Sequence, residues 1–202
     1  MMSEFALYLQ LGFRHIADLA GYDHILFIAA LAIPYALGNW RALAVLITAF
    51  TLGHSITLAL ATLQLVHVPS ALVETLIPIT IVITAALALF EMRGHTASSA
   101  PTLTTTPVSR YVIAAAFGLI HGLGFSTYLR SLLGQEESIA LPLLAFNVGL
   151  ELGQLLILSV VLTIGTLVVR AGVARRFWMQ LLAVFTGGLA LVLLVERLGL
   201  VG

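Results

Sequence analysis

Long apolar runs divide this chain, and its polar residues gather at their ends or stand singly inside them. The pattern predicts six membrane-spanning helices, over about 22–37, 41–65, 70–91, 110–132, 140–169 and 177–196. Ahead of them, residues 4–19 read as an amphipathic segment. Phe5, Leu9, Phe13 and Ile16 recur at helical spacing, and Glu4, Gln10, Arg14 and Asp18 interrupt them. Such a segment fits a membrane interface or a dip into the membrane. Gly21 is expected to bend the chain before the first span. That span is short for a hydrocarbon core of about 30 Å and calls for tilt or help from the segment before it. Gly94 to Ser109, rich in Thr, Ser, Ala and Pro, reads as a flexible loop. Gln135 to Ser138 reads as a short acidic loop, and Arg170 to Arg176 as a basic one. No strong internal repeat and no second domain stands out. The predicted fold is an all-α integral membrane protein: one six-helix transmembrane domain over 1–202, with an N-terminal amphipathic segment.

Composition agrees with the pattern. Of 202 residues, 60% are apolar and 9% charged, against about 25% charged in soluble domains. Mean hydropathy is +1.10. Formal charge is zero, so a nucleic-acid partner has no electrostatic basis. The partners to expect are the lipid bilayer and a small ion, with a homo-oligomer left open. Cysteine is absent, which removes disulfides, thiolate metal sites and thiol catalysis together. The first residues lack a basic region and a small-residue cleavage site and do not read as a cleaved signal peptide. Every basic residue is Arg. Arg41, Arg93, Arg110, Arg170, Arg175 and Arg176 fall on one side of the predicted spans, and Arg14, Arg130 and Arg197 on the other. The excess of positive charge belongs in the cytoplasm, which puts both termini outside it, in the periplasm of a bacterial inner membrane.

Candidate chemistry lies in the groups that hydrocarbon penalises. An ionisable side chain at mid-membrane costs about 2.5 kcal/mol or more and is usually kept for a task. His15, Asp18, Asp23 and His24 stand at the entrance to the first span. On an unbroken helix His24 would face away from His15, and a break at Gly21 would let both turn inward. His54 sits beside Gly53, Thr51 and Ser55, which equally suit a close structural helix contact. Glu74 reads either as a first-turn carboxylate or as a buried one. His121 stands within the Gly118–Gly122 pair, a small-residue packing motif. Asn147, Glu151 and Gln154 form one stripe on a long apolar helix. With no basic residue at its depth, Glu151 must be protonated, bound to a cation, or paired with a histidine. Economy of burial predicts that Asp23, His24, His54 and His121, with His15 and Glu151 as further candidates, converge on one divalent metal ion. Met and aromatic residues show no cofactor pattern.

Four stretches resemble the HupE/UreJ family of small membrane proteins: GFRHIADLAGYDHILFIAAL, ITAFTLGHSITLAL, FGLIHGLGFSTYLRSLLG and LLAFNVGLELGQ. The Asp23–His24 pair before an apolar run and the HGLGF stretch are the specific parts. The resemblance implies nickel or cobalt uptake, with Ni²⁺ or Co²⁺ as substrate, and it carries a metal-binding role onto His15, Asp23 and His24. Seven residues separate His15 from Asp23, a wider spacing than in the better-known members, which marks a divergent branch. On this reading Asp23 and His24 capture the ion, and His54, His121 and Glu151 relay it inward. The alternative is an intramembrane zinc-dependent hydrolase, with His24, His54 and His121 as ligands and Asp23 or Glu151 as base. A third reading is a metal sensor or assembly partner.

Overall fold

The computed structural model describes residues 3–19, 21–93, 106–133 and 138–200. Among these the regular elements are helical: α1 (Glu4–Ile16), α2 (Asp23–Ala32), a 3-10 turn (Leu37–Asn39), α3 (Trp40–Thr62), α4 (Ser70–Glu91), α5 (Val108–Gly124), α6 (Ser126–Leu133), α7 (Ala140–Arg170) and α8 (Arg175–Arg197). By length and composition, α3 with the turn before it, α4, α7 and α8 can each cross a membrane, while α2 and α5 are shorter apolar helices. Most of the expected loops at Gly94–Ser109 and Gln135–Ser138 lies outside the described residues.

Three expectations change. The helix expected over 22–37 stops at Ala32. Pro34 has no N–H to donate, so the hydrogen-bond ladder breaks there even though Ile33 keeps helical dihedrals. The helix expected over 110–132 stops at Gly124 and restarts as α6. Gly122 and Gly124 weaken its last turn, and the chain turns at Phe125. The N-terminal segment is a helix whose Ser3 hydroxyl accepts from the Ala6 N–H. It is not a separate interfacial element: Tyr8, Gly12 and Ile16 are buried, and α1 packs along α7.

Glycines set how these helices meet. A Cβ added at Gly12 would strike the carbonyl of Phe146, and one at Gly149 would strike that of Leu9. One at Gly153 would meet the Ile16 side chain. Contacts rise together along both chains, so α1 and α7 run parallel. A second crossing has the same register. Gly53 faces the Ala115 carbonyl, Gly118 faces that of Phe50, and Gly122 faces that of His54 and the Thr57 hydroxyl. So α3 and α5 also run parallel. Backbones this close leave no room for a side chain between them.

The remaining directions follow from contacts at the helix ends. Arg197 bonds Glu74 at one end of the α4–α8 pair, and Met92 clusters with Met179 at the other, so those helices are antiparallel. α2 follows α4: Asp23 shares a cavity with Ile77 and Pro78, and Ile33 clusters with Ala88 and Met92. α7 also opposes α8, to which a short loop joins it, with Gly165 against Trp178. Hence α1 and α2 run the same way, one after the other, broken over 17–22. Their lengths at 1.5 Å per residue come to about 20 and 15 Å. The main core lies between α2, α3, α4, α5, α7 and α8 around Phe27, Phe50, Leu46 and Ile81.

Candidate metal centre

The break between α1 and α2 is where the chemistry collects. His15 lies in the last turn of α1 and His24 in the first turn of α2, and their ring centroids are 4.8 Å apart. The break between Ile16 and Asp23 turns both the same way, which a continuous helix could not do. His54 comes from the middle of α3, with ring centroids 6.2 Å from His15 and 6.3 Å from His24. One nitrogen from each of the three rings lies within 4.8 Å of the others. Nitrogens sharing one ion at about 2.0–2.1 Å lie no more than about 4.2 Å apart. Drawing the rings in by under about an ångström would close the set.

Proton accounting shows which nitrogens are available. The Asp23 carboxylate accepts from the His24 backbone N–H at 2.8 Å and from its ring Nδ1 at 2.9 Å. A carboxylate only accepts, so Nδ1 carries the proton and Nε2 keeps its lone pair. Nε2 is buried with no hydrogen-bond partner. A carboxylate behind a histidine is the usual means of fixing the ring of a metal ligand. His15 Nε2 and both nitrogens of His54 are likewise buried without a partner. Orphaned imidazole nitrogens in an apolar setting are costly unless something accepts their lone pairs. A divalent transition ion does so, and the donor set suits one.

His121 stands beside the trio, 5.1 Å from His24 between ring centroids. Its Nε2 is 2.9 Å from the Thr80 hydroxyl. That hydroxyl has one proton and gives it to the Ile77 carbonyl at 2.7 Å. Nε2–H of His121 therefore donates to Thr80, leaving Nδ1 as a buried lone pair without a partner. Thr80 gave no signal in the sequence beyond a hydroxyl in an apolar run.

Aromatic rings enclose the group. Phe125, at the α5–α6 turn, lies 3.9 Å from His15 and stacks on Phe146. Phe27 and Phe50 pack under His121. Around His54 and His121, both fully buried, the exclusion of water strengthens electrostatic interactions. Two cavities approach from different sides. One of about 70 Å³ is lined by Tyr22, Asp23, Pro78 and the Glu74–Arg197 ion pair. The other, about 800 Å³ and open, is bordered by His15, Asp18, Arg14 and Phe125.

Glu151 is not among the three grouped nitrogen donors. It is half-buried and accepts a 2.6 Å hydrogen bond from the Thr48 hydroxyl. One turn away, the Thr51 hydroxyl donates to Gln154 Oε1 at 2.8 Å, while Gln154 Nε2 and Asn147 Oδ1 are buried without partners. Thr48, Thr51 and His54 follow one another at three-residue steps along α3, so this polar strip runs from the trio toward the N-terminal end of that helix. Glu74 is exposed, lies just past the first turn of α4 and bonds Arg197 at 2.7 Å, so it is neither the first-turn carboxylate nor the buried one that the sequence suggested.

Comparison with known sequences identifies the family. The profile described as HupE / UreJ protein matches residues 1–197, and no curated protein and no solved structure matches the chain. The chain belongs to the HupE/UreJ family and, with four membrane-capable helices, is an integral membrane protein.

Proposed function

We propose that this HupE/UreJ protein is a permease for a late first-row divalent ion, nickel or cobalt, held as substrate by His15, His24 and His54. The observation that carries the reading is the buried trio of imidazoles whose free nitrogens converge without hydrogen-bond partners. The family's association with nickel and cobalt uptake supports the choice of ion, as does the preference of those ions for imidazole. Asp23 orients His24 and faces the small cavity that Glu74 and Arg197 close. His121 packs against His24 beside the trio, and Glu151 with Thr48, Thr51 and Gln154 forms the inward relay.

The membrane topology follows as part of the same proposal. α1 and α2 in series form one crossing of about 35 Å, interrupted where the trio sits. Interrupted helices at membrane depth are tolerated where they line a site. With α3, α4, α5, α7 and α8 this makes six crossings in one domain. Both termini then face the periplasm of a bacterial inner membrane, as the Arg distribution predicts.

The experiment is metal content and uptake. Purified protein is expected to carry close to one Ni²⁺ or Co²⁺ per chain. In proteoliposomes it is expected to admit the ion to a trapped metal-sensitive dye, with both properties lost in His24→Ala and His54→Ala. Wild-type protein that binds no divalent metal would sink the proposal. The second reading, a zinc hydrolase, draws on the open groove beside His15, through which a lipid-soluble substrate could reach a bound ion. It is favoured if metal loads but no ion crosses the membrane.

A further inference from the structure

Away from the trio, near the opposite ends of α7 and α8, lies a cavity of about 320 Å³. Its walls come from the end of α2 and the segment Tyr35–Gly38 that follows it, the last three turns of α7 and the first two turns of α8. Leu162, Gly165, Trp178 and Leu182 line its depth, and Arg170 and Arg175 line its rim. Both charged residues lining it are guanidinium groups, and no carboxylate is among the lining residues. Gly165 makes the space, since a Cβ there would press on the Trp178 indole.

We propose that this groove is a binding site for an anionic phospholipid. The phosphate sits between Arg170 and Arg175, and an acyl chain lies along Leu162, Gly165 and Leu182. Arg170 ends one membrane-capable helix and Arg175 begins the next, so the two cations stand at headgroup level. Guanidinium groups pair with phosphate in a planar, two-pronged geometry that ammonium cannot match. Basic pockets between membrane helices on the more positive side are where anionic headgroups are held. From Arg170 back to Leu162 is eight residues of helix, about 12 Å of apolar wall. A free phosphate would leave that wall empty, whereas a lipid fills it. Trp178, apolar in body with one N–H donor, suits the boundary between headgroup and chain. The site shares no residue with the metal centre and holds whether or not that centre transports.

The test is native mass spectrometry of the full chain released from mixed micelles of phosphatidylglycerol and phosphatidylcholine. Wild type should retain phosphatidylglycerol about tenfold over phosphatidylcholine, a difference of about 1.4 kcal/mol. Arg170→Gln with Arg175→Gln should abolish the preference. Arg176→Gln, which removes a neighbouring charge that does not line the groove, should keep it. Circular dichroism checks that each variant folds. If the double variant misfolds, Arg170→Lys is used instead: it keeps the charge and should lower retention. Three results would overturn the proposal: equal retention of both lipids by wild type, equal loss in Arg176→Gln, or displacement of the lipid by millimolar inorganic phosphate.

Discussion

The α1–α7 and α3–α5 crossings are built alike and used differently. Both are parallel, both place one glycine against a pair spaced four apart, and the contact offsets are the same: Gly12 with Gly149 and Gly153, Gly53 with Gly118 and Gly122. In that register Phe13 corresponds to His54, and Leu152 to His121. The α3–α5 crossing therefore gives two histidines from its tightest point. The α1–α7 crossing gives one, His15, two residues beyond the position matching His54, on the last turn of a short helix. Their surroundings differ too. α3 also packs on α6 and α7, whereas α7 is the main support of α1. His54 is fully buried, while His15 borders the open groove. One crossing fixes a ligand inside the bundle. The other carries a ligand on a short helix supported mainly by one neighbour, beside the open groove.

The largest expected effect comes from wedging each crossing apart. Valine at Gly118 meets backbone at Phe50 and His54 that cannot rotate away. Its cost should exceed the usual overpacking penalty of about 1–3 kcal/mol, and Gly118→Val should fail to yield folded protein. Gly149→Val meets backbone at Leu9 just as closely, yet only α1 depends on that contact. This variant should keep helical content and a cooperative unfolding transition while losing metal. Thermal unfolding followed by circular dichroism, with metal analysis, separates the two. Equal collapse of both variants would break the comparison.

Next in size are the ligands themselves. His54→Ala and His15→Ala should each weaken Ni²⁺ binding by more than the 10–100-fold that losing a mere orienting partner costs, and His54→Ala more than His15→Ala. His54 is fully buried where water cannot take its place, whereas water in the open groove can take the place of His15. Titration calorimetry reads the order, and a reversed order would show α1 to hold the stricter ligand. Asp23→Asn follows, at about 10–100-fold. The amide can still accept from Nδ1 through its oxygen, but the carboxylate charge that makes the imidazole a better donor is gone.

Parts of this architecture are legible in the sequence, and the reasons differ by residue. α4, α7 and α8 appear as long apolar runs because hydrocarbon demands them. Asp23, His24 and the HGLGF stretch are legible because polar groups there are costly. The stop at Pro34 was also in reach, since proline punctuates helices by its own geometry. What pattern cannot give is partnership. Gly12 reads as one glycine in an amphipathic stretch, and nothing local says that Gly149 lies across from it. The repeated crossing escapes a search for repeats because the two copies share glycines and little else. His15 joins the trio through the break between α1 and α2, and Glu151 bonds Thr48 across the bundle. Both are facts of tertiary packing rather than of spacing.

The smallest expected effect concerns the histidine that the α3–α5 crossing supplies and the α1–α7 crossing lacks. His121 donates to Thr80 and keeps a buried lone pair on Nδ1. Thr80→Val removes the acceptor and leaves Nε2–H without a partner, which should cost about 1–3 kcal/mol of stability. If His121 only braces His24, Ni²⁺ affinity should stay within about twofold of wild type. If Nδ1 takes part in holding the ion, the ring loses the bond that orients it, and affinity should fall by about tenfold, the low end of the range for orienting partners. The structure favours the first outcome, since the nitrogens closest together are those of His15, His24 and His54. Measuring stability and affinity on the same Thr80→Val sample decides between them. A tenfold loss of affinity would mean that the α3–α5 crossing supplies two of four ligands and the α1–α7 crossing one.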